Sequence, residues 1–199
     1  MRPKEFELLI DAIKSLPSIG TKAAERIAYF LVHQDSEYIN EFVSRINTAK
    51  LNIKFCKQCG NFSLDDLCPI CSNPNRDNQK LCIVNSIDEL NKIEQTGSFD
   101  GIYFVLNDEI NLKTKKNIDS QIVKRLIDYC AKKQFNEALI ATNFTINGEA
   151  TNIYLNKLLK DILPHVETYK LAIGLPVNSA LDYADESTLK YAIKNKTKI

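Results

Sequence analysis

The chain has 199 residues, 44% of them hydrophobic and 26% charged, proportions of a soluble folded protein rather than a disordered one. Lys and Arg number 26 against 25 Asp and Glu, so bulk positive charge is excluded as a means of holding nucleic acid, and only a local patch or a ring of subunits would serve. The longest apolar runs, Leu81–Val84 and Ala138–Ala141, fall far short of the ~18 residues of a membrane helix, and the start MRPKEFELLIDAIKSL lacks a signal peptide's architecture, so the chain reads as cytoplasmic with no membrane partner.

In the first quarter, Phe6, Leu9, Ile13 and Leu16 recur at helical steps until Pro17 ends the pattern. A second helix is expected from about Thr21 to Val32, with Ala24, Ile27, Ala28 and Leu31 on its apolar side. A third, over residues 36 to 53, would turn Ile39, Phe42, Val43, Ile46 and Leu51 inward. The first two are joined by LPSIGTKAAERIA. Backbone N–H groups at the start of the second helix would seat a phosphate, and Lys22 and Arg26, four apart, project from one face toward the same backbone. The plainer reading is an ordinary helical turn with two solvated cations.

Residues 55 to 76 are too few for a core of their own. Cys56, Cys59, Cys68 and Cys71 form C-x2-C-x8-C-x2-C, two tight turns whose four thiolates complete a tetrahedron around one zinc ion. With no open position the metal would be structural; an iron–sulfur or redox arrangement is the alternative, and disulfides suit only an oxidised sample. Cys82 and Cys130, in a strand and on the apolar side of a helix, read as small core residues.

Beyond the cysteines, strands at KLCIVNS, GIYFVLN, EALIATN and YKLAIGL alternate with helices, the first opened by a capping box at Ser86 and Glu89 and stopping near Gly97. This alternation implies a mainly parallel sheet covered on both faces. The chain closes with a short helix from Glu186 to about Ala192 and the basic tail KNKTKI. His33 and His165 read as helix-end residues, and the eight Tyr and nine Phe read as core.

The hairpin loop is similar to a helix-hairpin-helix motif, L-P-G-I-G-x-K-x-A, with Ser18 in place of the first glycine. Followed by the four-cysteine site and then by ATNFTINGEAT and AIGLPVNSALDYADESTL, it makes the whole chain resemble the RecR family of bacterial recombination mediators. The resemblance implies a multidomain α and α/β fold: a helix-hairpin-helix domain over 1–54, a zinc finger over 55–76, a Toprim domain over 79–175 and a C-terminal assembly segment over 176–199.

Working Toprim enzymes hold magnesium with a glutamate after the first strand and a D-x-D-x-E-G-E cluster after a later one, hard oxygen ligands suited to that ion. Here the matching positions are Asn85 and then Asn143, Thr145, Asn147 and Glu149. Asn85 and Asn147 depart even from the family, which keeps glutamates there. Glu149 is therefore a vestigial acidic site or simply an acid at a helix start, and without help from Asp108 or Glu109 it would not hold magnesium. No catalytic residue is expected. Nor is nucleotide binding: there is no G-x-x-x-x-G-K-[ST], Asn178 and Ser179 replace the glycine pair of the family's Walker-B-like segment, Leu171 to Leu175 read as a strand, and Asp182, Asp185 and Glu186 as a turn and helix start.

The resemblance also implies function: a non-enzymatic DNA-binding mediator of recombinational repair that works with RecO and RecF to load the recombinase at gapped or single-stranded DNA, as a dimer or ring tetramer. A Toprim-type phosphotransferase and a scaffold with negligible DNA affinity are the rivals.

Overall fold

In the computed structural model the described residues are 2–172, 174, 175, 178 and 180–196. The chain divides into two compact units, Met1–Ile53 and Lys54–Ile199.

The first unit is helical. Helix α1 (Lys4–Lys14) stops before Leu16, so Ile10 and Ile13, rather than Ile13 and Leu16, are its most buried positions, and Leu16 is exposed. Helix α2 (Thr21–Val32) packs Ala24 and Ala28 against them, small side chains that let the two helices approach. Ile27, expected on that buried side, is exposed at its edge. Helix α3 (Ser36–Asn52), capped by Asp35 accepting from the Tyr38 N–H, departs further from expectation. It buries no residue: Phe42, Val43, Ile46 and Leu51 are exposed, with only Ile39 partly covered. Helical periodicity marks an apolar stripe, but it does not supply the surface that covers it.

The second unit opens with a two-stranded antiparallel ribbon, β1 (Lys54–Phe55) and β2 (Phe62–Ser63), that frames the first cysteine turn. It continues into a four-stranded parallel sheet ordered β4-β3-β5-β6, formed by β3 (Asp77–Val84), β4 (Gly101–Val105), β5 (Glu137–Ala141) and β6 (Glu167–Lys170). β3 to β4 crosses over through α4 (Ile87–Gln95) in one direction, and β4 to β5 and β5 to β6 cross through α5 (Ser120–Ala131) and α6 (Ile146–Ile162) in the other. Right-handed crossovers running in opposite directions place their helices on opposite faces. Accordingly Leu81, Ile83, Phe104 and Ile140 pack against Leu126, Leu155 and Leu159, while Cys82, Val84, Tyr103 and Val105 pack against Ile87 and Leu90. Both faces are covered, as expected for a parallel sheet.

The sheet's last strand ends earlier than its apolar sequence suggests. β6 stops at Lys170, so Leu171 and Ala172 lie beyond it, and residue 173 of the expected strand lies outside the described residues, as do position 179 and the tail's 197–199. A single 3₁₀ turn (Leu181–Tyr183) and α7 (Glu186–Lys194) follow, with Asp182 in the turn, Glu186 opening the helix and Asp185 capping it by accepting the Thr188 N–H. The capping box is present, and α4 yields to Gly97 at φ +62°. The aromatic residues do not form the core as a group: Tyr103, Phe104, Tyr129 and Phe135 are buried, but most others, Tyr183 among them, are exposed.

Candidate functional site: a thiolate cage, a helical hairpin and a neutralised sheet end

The four cysteines meet. Their Sγ atoms all lie within 4.8 Å of one another, with Cys56, Cys59 and Cys68 buried and Cys71 partly so. Four thiolates at ~2.3 Å from a single central ion fit that spread. The Cys59 and Cys68 sulfurs, 3.5 Å apart, are far beyond the ~2.05 Å of a disulfide, and all six cysteines are free. Each Cys-x-x-Cys turn closes on its own backbone, Gly60 N–H donating to the Cys56 carbonyl and Ser72 N–H to that of Cys68, both at 3.0 Å. The hydrogen bond between Cys59 and Cys68 holds the Cys68 thiol below its ordinary pKa. All-sulfur tetrahedral geometry suits zinc, and the chain carries one structural zinc. Bound, the ion supplies folding energy to a segment with no core of its own.

Contacts that the sequence does not reveal fasten this cage to the sheet. Val105 N–H, on edge strand β4, donates to the Cys59 carbonyl at 2.7 Å. Arg125 of α5 donates through Nη2 to the Val105 carbonyl, and its guanidinium lies 4.3 Å from the Phe104 ring centroid and against Gly60. Burial lowers the pKa of this half-buried cation, while the charges of Cys59 and Cys56 push it back up. No motif announces Arg125; only the helical period of α5, which turns one side to the sheet, hints that it faces inward.

In the helical unit, Lys22 and Arg26 are both exposed on one face of α2, and neither forms an ion pair among the described residues. Arg26 borders a shallow groove with Ala23, Ile27 and Phe30. The α2 N-cap is Gly20, with no side chain bonded to the helix start, so the first-turn N–H groups have no capping partner. Ser18 takes up the left-handed backbone, φ +65°, that a glycine would adopt without strain. His33 caps the other end of α2, its Nδ1 2.7 Å from the Tyr29 carbonyl oxygen.

At the carboxyl ends of β3 and β5, where the strand order reverses and parallel sheets usually bind ligands, amides stand beside carboxylates that already have partners. Asn85 is buried and its Nδ2 donates to Glu109 at 3.4 Å; Asn143 Nδ2 donates to Glu89 at 3.0 Å. Glu89 also accepts the N–H groups of Asn85 and Ser86, which completes the capping box. Glu149 lies in the first turn of α6 and pairs with Lys170 Nζ at 3.2 Å. Burial would raise the Asp108 carboxyl, but Lys116 and the N–H groups of Asp119 and Glu109 hold it below its ordinary value. Neither Asp108 nor Glu109 is therefore idle.

The ATNFTINGEAT segment instead holds a loop. Thr145 caps α6 by accepting the Gly148 N–H, Asn147 Oδ1 accepts the Leu112 N–H at 3.1 Å, and fully buried Thr151 accepts the Ile110 N–H at 3.0 Å. A Cβ at Gly148 would stand 2.0 Å from the Asn143 carbonyl oxygen, so only glycine allows α6 to start this close to the end of β5. Cys82 and Cys130 are buried in the core, which pushes each thiol up to about 12.

Four family models match in sequence order: RecR, helix-hairpin-helix, over residues 6–50; RecR, four-cysteine zinc finger domain, over 53–73; Toprim domain over 79–167; and RecR, C-terminal, over 174–197. Recombination protein RecR of Ureaplasma urealyticum serovar 10 is 44% identical over 198 residues, covering 100% of this chain and 98% of that relative. Those of Clostridium perfringens and Lactococcus lactis subsp. cremoris are 36% and 34% identical, each over 99% of this chain and 98% of its own length. With the thiolate cage, the helical hairpin and the parallel sheet found in the order these models prescribe, the chain belongs to the RecR family of recombination proteins.

Proposed function

We propose that the protein is a non-enzymatic, DNA-binding mediator of recombinational repair that acts with RecO and RecF to help load the recombinase at gapped or single-stranded DNA. The observation that carries this reading, beyond family membership, is the pairing of an open phosphate seat with a spent acidic site. Lys22 and Arg26 form no ion pair among the described residues and stand beside an uncapped helix start, while Glu149 is paired with Lys170, and Glu109 and Glu89 accept hydrogen bonds from Asn85 and Asn143. Such cations hold any sequence through its phosphates.

In this reading residues 1–54 form the DNA-gripping domain and 55–76 a zinc finger held by Cys56, Cys59, Cys68 and Cys71. Residues 79–175 form a Toprim platform, and 176–199 an assembly segment. Subunits join as a dimer or ring tetramer. The exposed apolar stripe of α3 supports association, because a patch of this kind on a soluble protein marks an interaction surface. A ring also adds weak basic faces into one field while each chain stays near neutrality. Light scattering and titration with a gapped duplex on one preparation test the reading. It expects an assembly larger than one chain that binds at low salt; a monomer without DNA affinity, alone or with RecO, contradicts it.

A further inference from the structure

A second surface carries donors for phosphate. Between the first zinc turn and α5 lies an open groove of about 520 Å³. Gln58 and Lys57, the two residues between Cys56 and Cys59, form one wall. Gln121, Lys124 and Arg125 of α5 and Lys132, which follows its last turn, line the other, and Asp128 is the only carboxylate among the lining residues. Lys124 and Lys132 are exposed and form no ion pair among the described residues, whereas Lys57 is paired with Asp66 at 2.7 Å. Eight helical residues apart, the two free lysines are separated by about 12 Å, too far to serve one phosphate and suited to successive stretches of a strand.

The floor of the groove is aromatic. Tyr129 lines it at 6% exposure, and its hydroxyl is buried without a hydrogen-bond partner. Such groups are rare in folded proteins, and when they occur a missing acceptor is the usual account. The hydroxyl has no surface open to the groove and feels the charges of Cys71, Cys59 and Cys56, so a ligand in the groove does not reach it, and the lysines alone face such a ligand.

We propose that this groove is a second phosphate-binding site, which takes the sugar-phosphate backbone of a nucleic-acid strand along Lys124 and Lys132 with Tyr129 at its floor. The proposal rests on the reading that the protein binds DNA, and it adds the zinc finger's role: the metal fixes the wall formed by Lys57 and Gln58.

The test is a titration of full-length protein with gapped duplex from 50 to 200 mM salt. Lys124→Gln/Lys132→Gln lowers affinity on the order of tenfold or more at 0.1 M and flattens the log–log salt slope by about two. Zinc content and thermal transition stay at parental values. If the lysine variant keeps parental affinity and slope while Lys22→Gln/Arg26→Gln weakens, the groove is overturned and the hairpin reading stands. If neither weakens, both fall. If inorganic phosphate at constant ionic strength saturates the groove and abolishes the difference between parent and lysine variant, its ligand is a small phosphate and the nucleic-acid assignment is overturned.

Discussion

Arg125 lies so close to Gly60 that a Cβ on the glycine would stand 2.6 Å from the guanidinium Nη1. Gly60 also has φ +83°, a backbone that L side chains rarely adopt. The zinc turn and α5 thus meet at a point where any side chain must displace the Arg125 guanidinium. Gly60→Ala is expected to cost roughly 2–3 kcal/mol, from backbone strain and displacement of Arg125, and to lower the thermal transition by about 5–10 °C. An unchanged transition would show that this contact does not hold the finger to the sheet.

Loss of the metal is expected to cost more than loss of the Gly60 contact. Cys59→Ser is expected to take zinc from one per chain to none and to unfold residues 55–76, because on the order of 10 kcal/mol of folding energy in small zinc modules comes from the ion. Elemental analysis with circular dichroism before and after chelation checks this. Reduced protein that lacks zinc yet keeps its native spectrum and melting behaviour contradicts it.

Ser18 occupies a left-handed backbone at φ +65°. Ser18→Gly relieves that strain at the expense of a more flexible unfolded chain, so a net gain of about 0.5–1 kcal/mol is expected. Thermal unfolding of the variant reads it directly; a fall in stability would mean that the serine side chain makes up for its own backbone.

Much of this is legible in the sequence, and the gaps have physical causes. Cysteine spacing states a tetrahedral cage because both turns are local, and the Ser86–Glu89 box is local for the same reason. Alternating elements spell out the parallel sheet. The inward face expected of α3 fails because Phe42, Val43 and Ile46 have the period of buried residues, and period does not distinguish a stripe covered within the chain from one left bare. β6 is shorter than expected because the run LAIGL reads as strand, while among the described residues only Glu167–Lys170 pair with a neighbouring strand. Arg125 escapes sequence reading because its partners, Gly60 and Val105, are 65 and 20 residues away and leave no pattern. Asn147 is legible as a lost acid, but its structural use, accepting the Leu112 N–H, depends on a contact 35 residues distant.

Glu149 is paired with Lys170, and the proposed reading gives it no part in catalysis. Both side chains are 52% exposed, so Glu149→Gln is expected to change stability by less than about 1 kcal/mol. No magnesium-dependent nicking or primer synthesis is expected from the parent or the variant. Activity that follows the purified protein and disappears in the variant would restore the phosphotransferase reading.

The central claim is that exposed cations at the start of α2 hold DNA through its phosphates. It is tested most directly by measuring gapped-duplex affinity against salt for the parent and Lys22→Gln/Arg26→Gln. The account predicts weaker binding on every DNA sequence tried, with the salt slope reduced by about two. Parental affinity and slope in the double variant would contradict it.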